Sequence, residues 1–238
     1  MKSGIAGWAL CLVLFAAAGA LAADTANKGK TNSAPKSDKA PSTAPGVDQA
    51  ALAKQLAASS RARKDALGLA MAARLVQEVG SKKADWPKKV EKGPKPTSDE
   101  DATAKNSASD TPEQLTAEAK QLAVGDQKLL AAIDTITTSA QARGAVAGPT
   151  LDQDVLCYRC GVAYTITFEA GQPALIRVLG DGRSDLDLFV YDQGGHLIAK
   201  DDDYTDDCRV GWIPAWTGPF RVVVKNNGRA NAYTMMTN

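Results

Sequence analysis

Three kinds of side chain in this sequence can do chemistry: thiols, clustered carboxylates and a few aromatic rings. The thiols are Cys11, Cys157, Cys160 and Cys208. Cys11 lies in an apolar N-terminal stretch, so three remain in the body of the chain. In an oxidising compartment such thiols close disulfides. A bridge from Cys160 to Cys208, or from Cys157 to Cys208, would close a loop of about fifty residues and stabilise by a few kcal/mol. This is the expected pairing, and it leaves the third thiol free or in an intermolecular link. Cys157-Tyr158-Arg159-Cys160 also has the spacing of a local redox pair, without the βαβ context of a thioredoxin fold. His196 is the only histidine. It would complete a zinc set with the three cysteines only by leaving the turn after Gly194-Gly195. A hydrolase triad needs a histidine beside a serine and an acid, and position 196 reads instead as an exposed hairpin residue.

The carboxylates form two clusters. Asp181, Asp185 and Asp187 are close in sequence, and Asp201, Asp202, Asp203, Asp206 and Asp207 make a second group. A hairpin through Gly194-Gly195 returns residues 197–200 against 186–191, so its open end brings the clusters together. Asp185 and Asp187 share one strand face. Calcium takes about six to eight oxygens from such groups, and without a counter-ion these charges repel. Calcium at Asp181, Asp185, Asp187, Asp201, Asp202 and Asp203 is therefore one expectation. The other is an acidic edge that discourages strand pairing. Trp212, Trp216 and Tyr191 are the candidate binding rings, since exposed aromatics on a sheet stack on sugars or grip peptide.

The elements that position these groups follow from composition. The chain has 238 residues, 44% hydrophobic but only 5% aromatic. Alanine supplies much of the apolar share, which excludes one large aromatic core over the whole length. The net charge of +1 gives no global reason to expect nucleic acid as a partner. Met1-Lys2, the apolar run from Ile5 to Ala18, and Ala20-Leu21-Ala22 read as a secretory signal peptide over residues 1–23. The expected address is periplasmic or secreted, with no transmembrane segment after signal removal.

Residues 24–46 carry Lys, Thr, Ser, Ala and Pro with almost no large apolar side chain, and read as a disordered leader. Residues 81–110 repeat that composition as a Lys/Pro linker, with Trp86 the exception. Residues 47–80 form a helical segment with Leu52, Leu56, Leu67, Met71, Leu75 and Val79 on one face. Residues 111–144 form a second. Thr111-Pro112-Glu113-Gln114 is a capping box with proline at the first helical position, and Gly125-Asp126 is a point of interruption.

From residue 155 the period becomes two. Val162, Tyr164, Ile166 and Phe168 alternate with polar or small partners, as do Leu186, Leu188 and Val190. Further strands are expected at 175–179, 197–200, 210–213, 220–224 and 233–236, with turns at Gly171, Gly194-Gly195 and Gly218-Pro219. The expected fold of residues 150–238 is an all-β antiparallel sandwich or jelly roll, preceded by amphipathic α-helices and disordered linkers.

Phe168-Glu169-Ala170-Gly171, Gly180-Asp181-Gly182, Asp185-Leu186-Asp187-Leu188-Phe189-Val190-Tyr191-Asp192, the run Trp216 to Val224 and Asn231-Ala232-Tyr233-Thr234 together resemble the bacterial pre-peptidase C-terminal domain. The resemblance covers about residues 150–238 and implies a β-sandwich module of exported proteins, with calcium bound in some relatives. With no catalytic set in view, the sequence reads as an exported non-enzymatic protein. Its sandwich would bind an envelope or extracellular protein, a glycan or calcium. The alternatives are a thiol-active envelope enzyme using Cys157 and Cys160, or a helical assembly factor.

Overall fold

A computed structural model describes residues 27, 29–34, 44–96, 98, 110–138 and 148–238. The expected signal at residues 1–23 lies outside them, as do parts of the leader, linker and second helical segment. Four helices are present among the described residues: α1 Pro45–Arg63, α2 Ala66–Val79, α3 Pro112–Leu122 and α4 Gln127–Thr138, with the first two strands between α2 and α3. Ten strands accompany them: β1 Lys82–Lys83, β2 Lys88–Glu91, β3 Thr150–Leu156, β4 Gly161–Phe168, β5 Ala174–Leu179, β6 Leu186–Tyr191, β7 Leu197–Asp201, β8 Asp207–Trp212, β9 Gly218–Asn226 and β10 Asn231–Thr237. Sheet A is ordered β1-β3-β10-β5-β8 and sheet B β2-β4-β9-β6-β7. Only β1 beside β3 runs parallel; the other pairings are antiparallel.

The two sheets enclose one core, and the period-two residues fill it. Leu186, Leu188 and Val190 are buried while Asp187, Phe189 and Tyr191 between them are half-buried. Phe168, Trp212 and Phe220 pack ring against ring, with centroids 4.8 and 5.2 Å apart for the two contacts of Trp212. The Tyr164 and Tyr233 hydroxyls hydrogen-bond across the sheets, and Tyr164 also donates to Asp152 Oδ2 at 2.7 Å. Burial drives the phenol pKa of both tyrosines upward, so they remain neutral donors.

Sheet A has a second buried face. Every residue of β10 is buried, and so are all of β5 except Arg177. Their outward side chains Leu175, Leu179 and Met236 pack under Val47, Ala50 and Ala51 of α1. This covering explains why 174–179 reads as a continuous apolar run rather than an alternating one. Each such side chain contributes about 1.5–3 kcal/mol on full burial. At the rim, Asp48 of α1 meets Arg209 Nη1 at 3.0 Å, and Arg177 holds Asp207 at 2.7 Å.

The helices pack through alanine rather than leucine. Ala57, Ala66, Ala70, Ala72, Ala73, Leu69, Leu115 and Ile133 form a second core. Leu52, Leu67, Met71 and Leu122 are exposed, whereas Leu56 and Val79 pack against the cores, so the face drawn through the large leucines is only partly the inward one. Small side chains let α1, α2 and α3 approach closely, which the leucine stripe would prevent. The break at Gly125 is present, with φ +93°, and Asp126 Oδ1 accepts from the N–H groups of Lys128 and Leu129.

Two stretches expected as disordered carry structure. Residues 82–91 supply β1 and β2. The Lys88 ammonium sits 3.0 and 2.7 Å from Asp152 and Asp154, and Trp86 packs edge-on against Tyr164 at 6.2 Å. One of the lysines that suggest a solvated linker, Lys88, thus finds carboxylates on β3. In the leader, Asn32 is fully buried. Its N–H donates to Asp192 Oδ2 at 2.9 Å, its side chain exchanges two hydrogen bonds with the Trp216 backbone, and Ala34 N–H donates to Ile213 O.

Asp192 is the group on which this docking turns. Its burial raises its pKa, but the N–H groups of Asn32 and His196 and the His196 ring outweigh that and hold it below the ordinary carboxylate value. A lowered carboxylate stabilises fully above its unfolded value, and the contribution is lost as pH falls through the folded value. Asp192→Asn should therefore cost about 1–3 kcal/mol at neutral pH. The gap from wild type should close below about pH 4, as read by denaturant unfolding across pH. A gap that stays constant into acid would contradict this role.

Candidate functional site

With α1 over sheet A, the outer face of sheet B is the broad sheet surface left uncovered among the described elements. Its residues come from β4, β9 and β6 in register. Arg221 pairs with Thr165 on one side and Tyr191 on the other, and Val223 pairs with Ala163 and Phe189. Lys225 lies opposite Asp187. Directly opposed residues point to the same face, and the ring contacts confirm it. The Arg221 guanidinium sits 4.4 Å over the Tyr191 ring, and the Lys225 ammonium 4.9 Å over Phe189. The two rings are stacked at 25° with centroids 6.5 Å apart. Arg221, Lys225, Thr165 and Thr167 are exposed.

Each cation is thus held over a ring rather than free to wander. That arrangement is worth about 0.5–1 kcal/mol at an exposed site and fixes the positions of two positive charges. Asp187 lies at the end of the strip, and desolvation, with Asp185 and Asp202 nearby, raises its carboxyl pKa despite Asn227 and Lys225.

Of the expected binding rings, Tyr191 is on this face. Trp212 is not: it is 3% exposed in the core against Phe168 and Phe220. Its alternation with Cys208 and Val210 points it inward. Trp216 is half-buried in the β8–β9 loop, fastened to Asn32. Phe189, Arg221 and Lys225 escaped the sequence reading. The signal was present in the alternation of β6 and β9, whose off-core positions hold these residues.

The hairpin does bring the acidic loops together. Gly180 N–H donates to Asp206 O and Gly182 N–H to Asp206 Oδ2. A Cβ on Gly180 would stand 2.2 Å from that carboxylate, so only glycine fits. Yet the individual carboxylates have local donors. Asp181 accepts from the N–H groups of Arg183 and Ala232, Asp185 from Asn227, and Asp201 from Arg209 N–H. Asp202 meets Lys200, and Asp203 accepts from Thr205. Among the described residues no three metal-ligating groups converge.

The expected bridge to Cys208 is not formed. Cys157 and Cys160 are joined to each other across a tight turn, with Cα atoms 5.2 Å apart. Cys160 N–H closes the turn on Cys157 O at 3.1 Å, and Arg159 adopts φ +51° between them. Cys208 is buried on β8, its thiol donating to Leu186 O at 2.9 Å, and burial pushes its pKa up. The bridge therefore spans two residues. Loop closure on that scale is worth about 2 kcal/mol, against about 4 for the fifty-residue loop. His196 stays at its hairpin, its Nδ1 3.0 Å from Asp192, so no zinc set assembles with the cysteines.

No family model matches the chain, and no curated protein matches it. Among solved structures it is similar to the periplasmic inhibitor of g-type lysozyme from Aeromonas hydrophila. That likeness has 16% identity and a TM-score of 0.31, over 41% of this chain and 90% of that one. It is also similar to a carbohydrate-binding module solved with β-1,4-galactotriose, at 19% identity and TM-score 0.26, over 35% and 63% of the two chains. A further likeness is to a carbohydrate-binding module of Cellvibrio mixtus lichenase 5A solved with cellotriose, at 13% identity and TM-score 0.25, over 37% and 86%. Among the described residues no helix is long and apolar enough to cross a membrane.

Cys208 should resist iodoacetamide in the folded protein at pH 8 and react once denaturant unfolds it, since a buried thiol is an inert one. Rapid alkylation in native buffer, read by peptide mass, would contradict its placement.

Proposed function

We propose that this chain is an exported binding protein of the cell envelope, and that the outer face of sheet B takes an acidic glycan. The observation that carries the reading is the pair of cations, Arg221 and Lys225, each lodged over a ring on one flat strip. Rings anchored in a sheet supply contact area at little entropic cost, and cations placed over them offer carboxylates fixed partners. Thr165 and Thr167 add hydroxyls that exchange hydrogen bonds with sugar hydroxyls. Apart from Leu197 beside Tyr191, the strip offers no exposed large aliphatic side chain of the kind that fills the core of a protein interface. A hydrated, charged polymer suits it better than an apolar protein surface. The export signal at residues 1–23 supports the envelope address. The pre-peptidase-type motifs map onto β6 and β9, the strands that build the strip, and we infer that the sandwich is a divergent module of that type.

Native affinity electrophoresis of the mature protein through polygalacturonate, with laminarin as the neutral control, tests this. Retardation is expected in polygalacturonate alone and should weaken steeply with salt. Tyr191→Ala and Arg221→Ala should each reduce the affinity about tenfold while leaving the unfolding midpoint within a few degrees, because both side chains lie outside the core. Equal mobility in both gels, or retardation unchanged by the two variants, would overturn the assignment.

A further inference from the structure

The turn that joins the sheets holds a second site, at the end of the strip and sharing Lys225 with it. Cys157 is exposed whereas Cys160 is 4% exposed, so one sulfur of the bridge is open to attack and the other is sheltered. The sheltered sulfur has a donor: Gly93 N–H points at Cys160 Sγ from 3.2 Å. Gly93 passes so close over the turn that a Cβ there would lie 2.3 and 2.4 Å from the carbonyl oxygens of Arg159 and Tyr158. Beside Cys160 opens a pocket of about 530 Å³ whose walls include Lys92, Arg159 and Lys225, with Glu91 as the acid among them. Backbone N–H groups and neighbouring cations favour a thiolate over a thiol. Arg159 holds the left-handed conformation, uncommon for a residue with a side chain. The turn is also fastened without its bridge: Arg159 N–H donates to Gly228 O, and Asn226 Nδ2 donates to Cys157 O at 2.9 Å.

The geometry points to Cys157–Cys160 as a reversible thiol–disulfide exchange site for protein or peptide dithiols. A partner thiolate attacks Cys157 Sγ. The bond to Cys160 breaks, and Cys160 leaves with the electron pair as a thiolate beside Gly93 N–H and the cationic wall. The partner's second thiolate then attacks its own sulfur in the mixed disulfide and releases Cys157. The partner is oxidised by two electrons to its disulfide, and this chain is reduced to the dithiol. The two protons lost by the partner's thiols balance those taken up by Cys157 and Cys160. An exposed bridge over a short loop is of the labile class, and the hydrogen bonds around the turn keep the fold when it opens.

The test uses the full mature chain, with dithiothreitol as reductant and a dithiol peptide as partner, supplied reduced to the oxidised wild type and as its disulfide to the serine variants, each cysteine being read by peptide mass. Dithiothreitol should open the bridge in native buffer. The unfolding midpoint should drop by no more than about 8 °C, and the bridge should reclose with oxidised glutathione. Cys160→Ser should trap the oxidised peptide as a mixed disulfide at Cys157, and Cys157→Ser should trap much less at the sheltered Cys160. Lys92→Ala should raise the pH midpoint for alkylation of Cys160 in the reduced protein, because it removes one cation from the wall beside the leaving sulfur. The proposal is overturned if the bridge opens only when the sandwich unfolds, if both serine variants trap the peptide equally, or if Lys92→Ala leaves the alkylation midpoint unmoved.

Discussion

The contact between α1 and sheet A decides what the rest of this molecule can do. Val47, Ala50 and Ala51 lie over Leu175, Leu179 and Met236, so the central strands β5 and β10 of sheet A are buried on both faces, with an apolar patch under the helix and charged residues only at its rim. Sheet B has no such cover, and its outward residues are cations, hydroxyls and half-buried rings. A sandwich with two solvated faces would be symmetric in its chemistry; this one is not. The covered sheet serves the fold, and the open one is left for a ligand. The ion pairs of Asp48 with Arg209 and of Arg177 with Asp207 sit where helix meets sheet. The Asp48–Arg209 pair fixes the orientation of α1 and the Arg177–Asp207 pair ties β5 to β8; as partly exposed pairs, both add little net stability.

Much of the sandwich was legible because its strands alternate. Strands β4 to β10 lie close to the ranges that period and turn chemistry indicate, and β6 spans residues 186–191 as read. Strand β3 was missed because Thr150–Leu156 is polar: it borders a sheet edge widened only by the two residues of β1, and Asp152 and Asp154 there answer Lys88 from elsewhere in the chain. Strands β1 and β2 were hidden by their lysines and prolines. Local composition says solvated linker, but it cannot show carboxylates seventy residues away in sequence. The helices lie where the pattern places them, but part of their inward face was misassigned for a different reason. A leucine stripe is the usual mark of the inward face, yet packing here is tight enough that alanine occupies it. Composition did hold a warning, since alanine dominates the apolar share of that region.

The chemistry-bearing residues divide along the same line. The acidic loops come together as their spacing implies, and their carboxylates are largely spent on backbone N–H groups and neighbouring cations that brace the loops. The cysteine pairing could not be read from loop-closure entropy, which favours the long loop, because geometry decides it. Cys208 faces inward from β8, while Cys157 and Cys160 face each other across one turn. The strip on sheet B was half visible, with Tyr191 named and its cations not. A strand's outward residues acquire meaning only when register sets Arg221 beside Tyr191 and brings Lys225 over Phe189.

The two sheets differ in what covers them, and hydrogen–deuterium exchange with and without polygalacturonate reads that difference strand by strand. Added protection is expected only in β4, β9 and β6, with α1, β5 and β10 unchanged. Protection gained on the helices or on sheet A, with the strip unaffected, would contradict it.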